Sequence, residues 1–205
     1  MTRVVFTRDE CELGYRDSRF KRRDRDRYVV LDVTLRVRRG AAPEIRYTEL
    51  AEAVRQGAAL EALPPPAAIR VVRQTVMALR RRKSMVIDPA DPNARSVGSF
   101  FVNPVLSPGA FVELARRWRA SGGADPTPSF PADGGVKVPA AWLVEHAGFV
   151  KGQRYGGAGI STRHALALVN LGGTTADLLG LAASIEHAVY ERFGVWLERE
   201  PVVIE

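Results

Sequence analysis

The sequence predicts an α+β protein. Three observations carry that prediction: an alternating apolar stretch at 27–37, two long segments with apolar residues at helical spacing (64–83 and 175–193), and the absence of any repeated strand–helix unit between them. "RVVF" (3–6) reads as a short strand, and "RYVVLDVTLRV" (27–37) as a better one. Its Val29, Leu31, Val33, Leu35 and Val37 fall on one face. "RGAAPEIRY" breaks the pattern. "ALPPPAAIRVVRQTVMALRRRK" predicts a helix introduced by proline, with Ile69, Val72, Val76 and Leu79 on one side. The Asp- and Pro-rich "IDPADPNARSVG" (87–98) is a loop and a candidate domain boundary.

"GSFFVNP" (98–104) then sets two aromatics between a small hydroxyl and an Asn-Pro turn. Pro104 removes a backbone donor and keeps Asn103 extended, so a short strand must stop there. On residue type alone Ser99 is either a strand residue before a turn or a group that does chemistry. Ser107 is placed to cap a helix over 107–118, and "ASGGADPTPSFPADGG" (120–135) reads as a surface loop. "VPAAWLVEHAG" (138–148) is a short helix with Pro139 near its first turn and Gly148 just past its end. "RHALALVNLGG" predicts a buried strand ending in a glycine turn. Thr174 or Thr175 caps the last helix, Asp177 suits its positive end, and Gly194 stops it. Trp142 reads as core. An extended segment, "VWLEREPVVIE", follows.

At 205 residues, 46% hydrophobic and 26% charged, the composition is that of a globular protein with one domain or two small ones. No apolar run approaches the ~20 residues of a membrane span, and acidic residues occupy the place of a signal peptide's apolar region. A cytoplasmic protein without membrane contact is expected. A single cysteine, Cys11, excludes an internal disulfide and a cysteine-based metal cluster. The three histidines lack zinc-ligand spacing, so no metal is expected. The formal charge of +7 favours polyanionic partners, whether nucleic acid or a phosphorylated small molecule. The basic run "RDSRFKRRDRDR" (16–27) alternates signs, as a solvated loop does, and no helix-turn-helix, RNP or finger signature accompanies it.

Four stretches, "GYRDSRFK" (14–21), "GSFFVNP", "AAWLVEHAGFVKG" (140–152) and "FGVWLEREP" (193–201), together resemble the UDP-N-acetylenolpyruvoylglucosamine reductase family. "RRRKSMVID" (80–88) and "GGAGISTRHALALVNLGGTTADLLGLA" (156–182) fit between them in the family's order. The resemblance covers nearly the whole chain and implies the C-terminal part of the enzyme. Residues 1–88 would be the end of the FAD-binding domain, 89–193 the substrate-binding domain, and 194–205 a return segment. The family's Gly- and Ser-rich flavin loop and its catalytic arginine would precede Met1, so this chain alone is expected to hold no tightly bound flavin.

The resemblance implies an NADPH-dependent, FAD-mediated reduction of the enolpyruvyl vinyl ether of UDP-N-acetylglucosamine enolpyruvate, a step of peptidoglycan precursor synthesis. Such an ether accepts hydride only when its carboxylate is polarised, and a proton must then reach the neighbouring carbon. Ser99 matches the family's proton donor. Glu200 matches its catalytic carboxylate, which would take up a proton beside the substrate carboxylate and donate a hydrogen bond. Tyr15 matches a tyrosine that folds over the nucleotide, and Lys83 a lysine at the pyrophosphate. Asn103 matches a substrate-contacting asparagine, with Ser99 and Asn103 facing one cleft. Arg154, where some members have glutamine, would be a substrate-binding residue at the uridine or phosphate, and Val102 stands where many members have lysine. Arg80 would face the flavin. The enzyme is expected to be a monomer with no nucleic-acid partner. A non-catalytic UDP-sugar-binding module and a basic nucleic-acid binder are the other readings of the same residues.

Overall fold

A computed structural model describes residues 2–14, 16–57 and 59–204. The chain divides into two units, Met1–Ala41 and Ala42–Glu205.

The first unit consists of turns and extended chain rather than the two predicted strands. Phe6, Phe20 and Tyr28 meet edge to face at 5.1–6.1 Å, and the Arg19 guanidinium lies 4.5 Å from the Phe6 ring centroid. The charged run is organised around one carboxylate. Asp24 is 5% exposed, accepts a 2.6 Å hydrogen bond from Arg19 Nε, and is reached by Arg27. The bond from Arg19 holds its carboxyl below the usual range. Residues 28–39 are extended but form no ladder, and Val29, Leu31, Val33, Leu35 and Val37 are 73–82% exposed. Alternation needs a neighbouring strand before it becomes a sheet, and no described residue supplies one.

The second unit begins with α1 (Thr48–Gly57), a helix the sequence reading passes over, packed on α2 (Pro65–Arg82). Val54, Ala68 and Leu79 are buried, whereas Ile69 remains 46% exposed. Beyond the 87–95 loop lie seven short strands in two antiparallel sheets. The larger takes the order β1 (Ser96–Ser99), β7 (Ala167–Asn170), β6 (Ala158–Ile160), β5 (Arg154–Tyr155). The smaller takes the order β2 (Val105–Leu106), β4 (Gly135–Lys137), β3 (Phe130–Ala132), so the predicted 120–135 loop ends in a hairpin.

Three helices complete this unit. α3 (Pro108–Ala120) is capped by the Ser107 hydroxyl, and α4 (Ala140–His146) follows Pro139. α5 (Thr175–Phe193) opens on a capping box made by Thr174 and Asp177 and closes on Gly194 in the left-handed conformation. α5 packs against α3, α4, β6 and β7. Phe101, Leu114, Leu143, Leu168, Ile185 and Phe193 are each at most 2% exposed in the core between them. Trp142 is half-buried at its margin, 5.1 Å from Trp118 and stacked on His146. Among the described residues, no helix is long and apolar enough to cross a membrane.

β1 carries the feature that places Ser99. Ser96 pairs with Val169 and Ser99 with Ala167, so three steps on β1 span two on β7. The extra residue makes a bulge at Gly98, whose φ is +86°. A Cβ there would meet nothing within 4 Å, so the cost of Gly98→Ala is conformational alone. Left-handed backbone costs a residue with a side chain about 1–2 kcal/mol. Gly98→Ala is expected to lower stability by that amount in urea unfolding, and an unchanged midpoint would show that β1 relaxes out of the bulge.

Candidate active site

Ser99 ends β1, half-buried, and two buried aromatics fix the chain after it. Phe100 and Phe101 are 6% and 2% exposed, with ring centroids 5.3 Å apart. Phe100 N–H donates to Leu166 O at 2.8 Å. The return segment then lies antiparallel along 100–102: Val102 N–H donates to Glu198 O and Glu200 N–H to Phe100 O, both at 2.9 Å, around a bridge between Phe101 and Arg199. Glu200, exposed, therefore sits opposite Phe100 and one position from Ser99 in register.

Arg199 is what clamps this segment to the domain. Its Nε donates to Glu186 Oε1 at 2.6 Å and a terminal nitrogen to Oε2 at 2.8 Å, a two-point contact with α5. Hydrogen bonding to Glu186 raises the already high pKa of Arg199. Sequence reading singled out the glutamate of "LEREP" and passed over the arginine beside it. The only signal was a cation two residues from a proline in an otherwise apolar extended stretch.

Asn103 is exposed, but its amide oxygen is already engaged. It accepts the Ala140 N–H at 2.8 Å, the first donor of α4, which Pro139 has no side-chain acceptor to satisfy. Lys83, just past α2, pairs with Glu49 of α1 at 2.5 Å. Its charge, after burial of the ring, helps to lower the pKa of His164 in the 161–166 turn. That turn is held by a residue the sequence did not flag: buried Asn93 accepts from Thr162 N–H at 2.9 Å and from the Thr162 hydroxyl at 3.2 Å. Arg80 is exposed, with Nε 3.4 Å from Met85 O. Arg154 is exposed on β5. β5 and β1 are opposite edges of the larger sheet, three strand spacings or about 14 Å apart, and the register sets Arg154 level with Ser96, so Ser99 lies further along its strand. Tyr15 lies outside the described residues.

β5 is held in place by an interlock of glycines. Gly157 O accepts from Leu171 N–H at 2.9 Å and Gly173 N–H at 3.0 Å. A Cβ on Gly157 would lie 2.2 Å from Gly173 Cα, and one on Gly173 would lie 2.6 Å from Asp177 Oδ2. Asp177 accepts from Thr174 N–H at 2.8 Å, from the Thr174 hydroxyl at 2.9 Å, and from Gly157 N–H. The Thr174 amide and then its hydroxyl depress the Asp177 carboxyl below its ordinary value. A depressed carboxyl contributes stability that is whole above its unfolded pKa and is lost as pH falls through the folded one. Asp177→Asn is accordingly expected to flatten the acid limb of the stability profile, and an unchanged acid limb would remove Asp177 from it.

Gly157 and Gly173 are filled by each other's backbone and by the Asp177 carboxylate, so this interlock offers no cradle to a phosphate. Of the residues expected at a flavin, the described set presents only the exposed Arg80. The described residues do not by themselves fit FAD.

Comparison with known proteins bears on the same segments. The sequence profile of "UDP-N-acetylenolpyruvoylglucosamine reductase, C-terminal domain" matches residues 89–204, which include Ser99, Asn103, Arg154 and Glu200. The chain is 48% identical over 206 residues to the UDP-N-acetylenolpyruvoylglucosamine reductase of Thermobifida fusca, covering 98% of this chain and 55% of that protein. It is 44% identical to the protein of the same name from Streptomyces coelicolor (98% and 52% covered) and 43% identical to that of Mycobacterium avium (95% and 53% covered). The chain thus spans about half the length of the curated relatives it matches. By this match the chain belongs to the UDP-N-acetylenolpyruvoylglucosamine reductase family.

Proposed function

We propose that the chain is the substrate-handling, C-terminal part of a cytoplasmic, monomeric UDP-N-acetylmuramate dehydrogenase. The complete enzyme uses NADPH and FAD to reduce UDP-N-acetylglucosamine enolpyruvate in peptidoglycan precursor synthesis. On this reading residues 89–193 bind the substrate, 194–205 return Glu200 to it, and 1–88 belong with the flavin domain. The observation that carries the proposal is the register between 98–102 and 198–200. It brings the serine and the glutamate of two distant motifs to neighbouring positions on paired segments.

Reduction of the vinyl ether supplies hydride to its terminal carbon, and that hydride comes from outside these residues. What remains for this chain is the carboxylate and the proton. Glu200 holds a proton towards the substrate carboxylate and steadies the charge that develops there. Ser99 Oγ–H gives its proton to the carbon bearing that carboxylate. A hydroxyl is a weak acid in water, but an enolate is basic enough to take its proton. The serine oxygen then recovers a proton from solvent. The spacing of about 14 Å between the strands that carry Ser99 and Arg154 suits an extended nucleotide-sugar, with Lys83 and Arg154 at its anionic and uridine parts and Asn103, which spends its oxygen on α4, offering only its amide N–H.

The test is titration of the ¹⁵N-labelled chain with UDP-N-acetylglucosamine enolpyruvate. Amide shifts are expected at 99–103, Lys83 and Arg154, and saturation with UDP alone should move only the Lys83 and Arg154 group. A spectrum indifferent to both ligands at about millimolar concentration, the weak end of metabolite affinities, counts against the proposal.

A further inference from the structure

We propose that His164 is a positioning residue for Ser99, fixing through its Nδ1 the turn whose carbonyl holds the strand end that carries the serine. The inference rests on the reading of Ser99 as proton donor.

The Gly98 bulge releases β1 from regular pairing just before Ser99, so the position of the serine depends on the bonds that follow it. One is Glu200 N–H to Phe100 O, and the other is Phe100 N–H to Leu166 O at 2.8 Å. Leu166 belongs to a tight turn in which Ala167 N–H returns to His164 O at 3.1 Å. Inside that turn Leu166 N–H donates to His164 Nδ1 at 3.0 Å. One peptide later, Ala167 is the register partner of Ser99. Imidazole Nδ1, Leu166 and Phe100 therefore form a chain of contacts that ends beside the serine.

Only a neutral ring with its hydrogen on Nε2 can accept at Nδ1. The surroundings favour that form. Burial lowers the His164 pKa first, and the charges of Lys83 at the end of α2 and Lys151 beyond α4 lower it further, against a smaller opposing pull from Glu145 of α4. Protonation would set two donors, Nδ1–H and Leu166 N–H, against each other and open the turn. Ser99 is thus held in place at neutral pH and loosened in acid.

The experiment is amide hydrogen exchange on the full chain, comparing Phe100 and Leu166 with Ile185 in α5. In His164→Ala the Phe100 and Leu166 amides should exchange about tenfold faster at neutral pH while Ile185 changes far less, the loss expected for one hydrogen bond. His164→Asn, whose Oδ1 can stand where Nδ1 stands and does not titrate, should restore protection. As pH falls from neutrality to about 4, low enough to reach an imidazole held below its usual ~6.5, Phe100 protection, corrected for intrinsic exchange, should fall in the unmodified chain and stay level in His164→Asn. Equal acceleration of all three amides, or no rescue by asparagine, overturns the inference. If His164→Ala does not fold, the pH comparison decides alone, and an identical response in both proteins overturns it. These readouts do not depend on catalysis. Should they behave as expected while Ser99→Ala retains full activity, the assignment of Ser99 fails and the positioning of its strand stands.

Discussion

Ser99→Ala is expected to slow reduction of the enolpyruvyl substrate at least about a hundredfold in the complete enzyme, while leaving consumption of NADPH in the first half of the cycle nearly unchanged. The asymmetry follows from when the hydroxyl acts. It gives its proton only after hydride has reached the substrate, so nothing before that moment depends on it. A positioned general acid accounts for about 10²–10⁴ in rate, and the lower bound allows water to replace part of the function. The neighbourhood limits that replacement. Phe100 and Phe101 are buried side by side immediately after the serine, and their shared packing keeps the strand end rigid. Two bulky aromatics therefore follow so small a residue because they anchor it. Stopped-flow measurement of the two half-reactions separates the cases: if the substrate half-reaction keeps its rate, Ser99 is a strand residue and no more.

Gly157→Ala is expected to destabilise the domain by about 3 kcal/mol or more, the upper range for overpacking, because the new methyl would lie 2.2 Å from Gly173 Cα. Neither partner can rotate away, since both are backbone, and both are bonded into the same turn. For a chain of this size that corresponds to a fall of about 6–12 °C in melting temperature. Gly109→Ala, near the start of α3 where a Cβ meets nothing within 4 Å, is the matched control and should be neutral or slightly stabilising. Comparable melting of the two variants would mean that the hairpin ending β5 moves aside, and that Arg154 is not fixed by the interlock.

Local chemistry made much of this fold legible. Ser107, Thr174 and Gly194 announce helix ends through donors and backbone geometry that depend on neighbours three or four residues away, and the structure uses each of them as expected. β7 was equally readable as a continuous apolar run before a glycine turn. Features that depend on distant partners were not. The alternation of 27–37 is as regular as any strand's, yet a ladder requires a second chain segment that no described residue provides. β2, β5 and the other short strands carry too few residues for a period to show. The site divides in the same way. Ser99 and Glu200 were picked out by the motifs around them, but their adjacency in register rests on Arg199 gripping Glu186, a contact between residues thirteen positions apart on different elements. Asn103 came from the same motif, but its use of the amide oxygen on the first donor of α4, thirty-seven positions away, could not be read from it.

The pairing of the return segment with 100–102 also dictates an order of biosynthesis. Phe100 and Glu200 are a hundred positions apart, so one is synthesised well before the other. The sheet and helices through Phe193 can form as they emerge, N-terminal parts first, but the return segment can pair with 100–102 only once residues 198–200 have themselves emerged. Until then the nascent domain carries a serine without its glutamate. A translation product that ended at Phe193 would keep these helices and sheets and leave Val102 N–H and Phe100 O without their partners at 198 and 200.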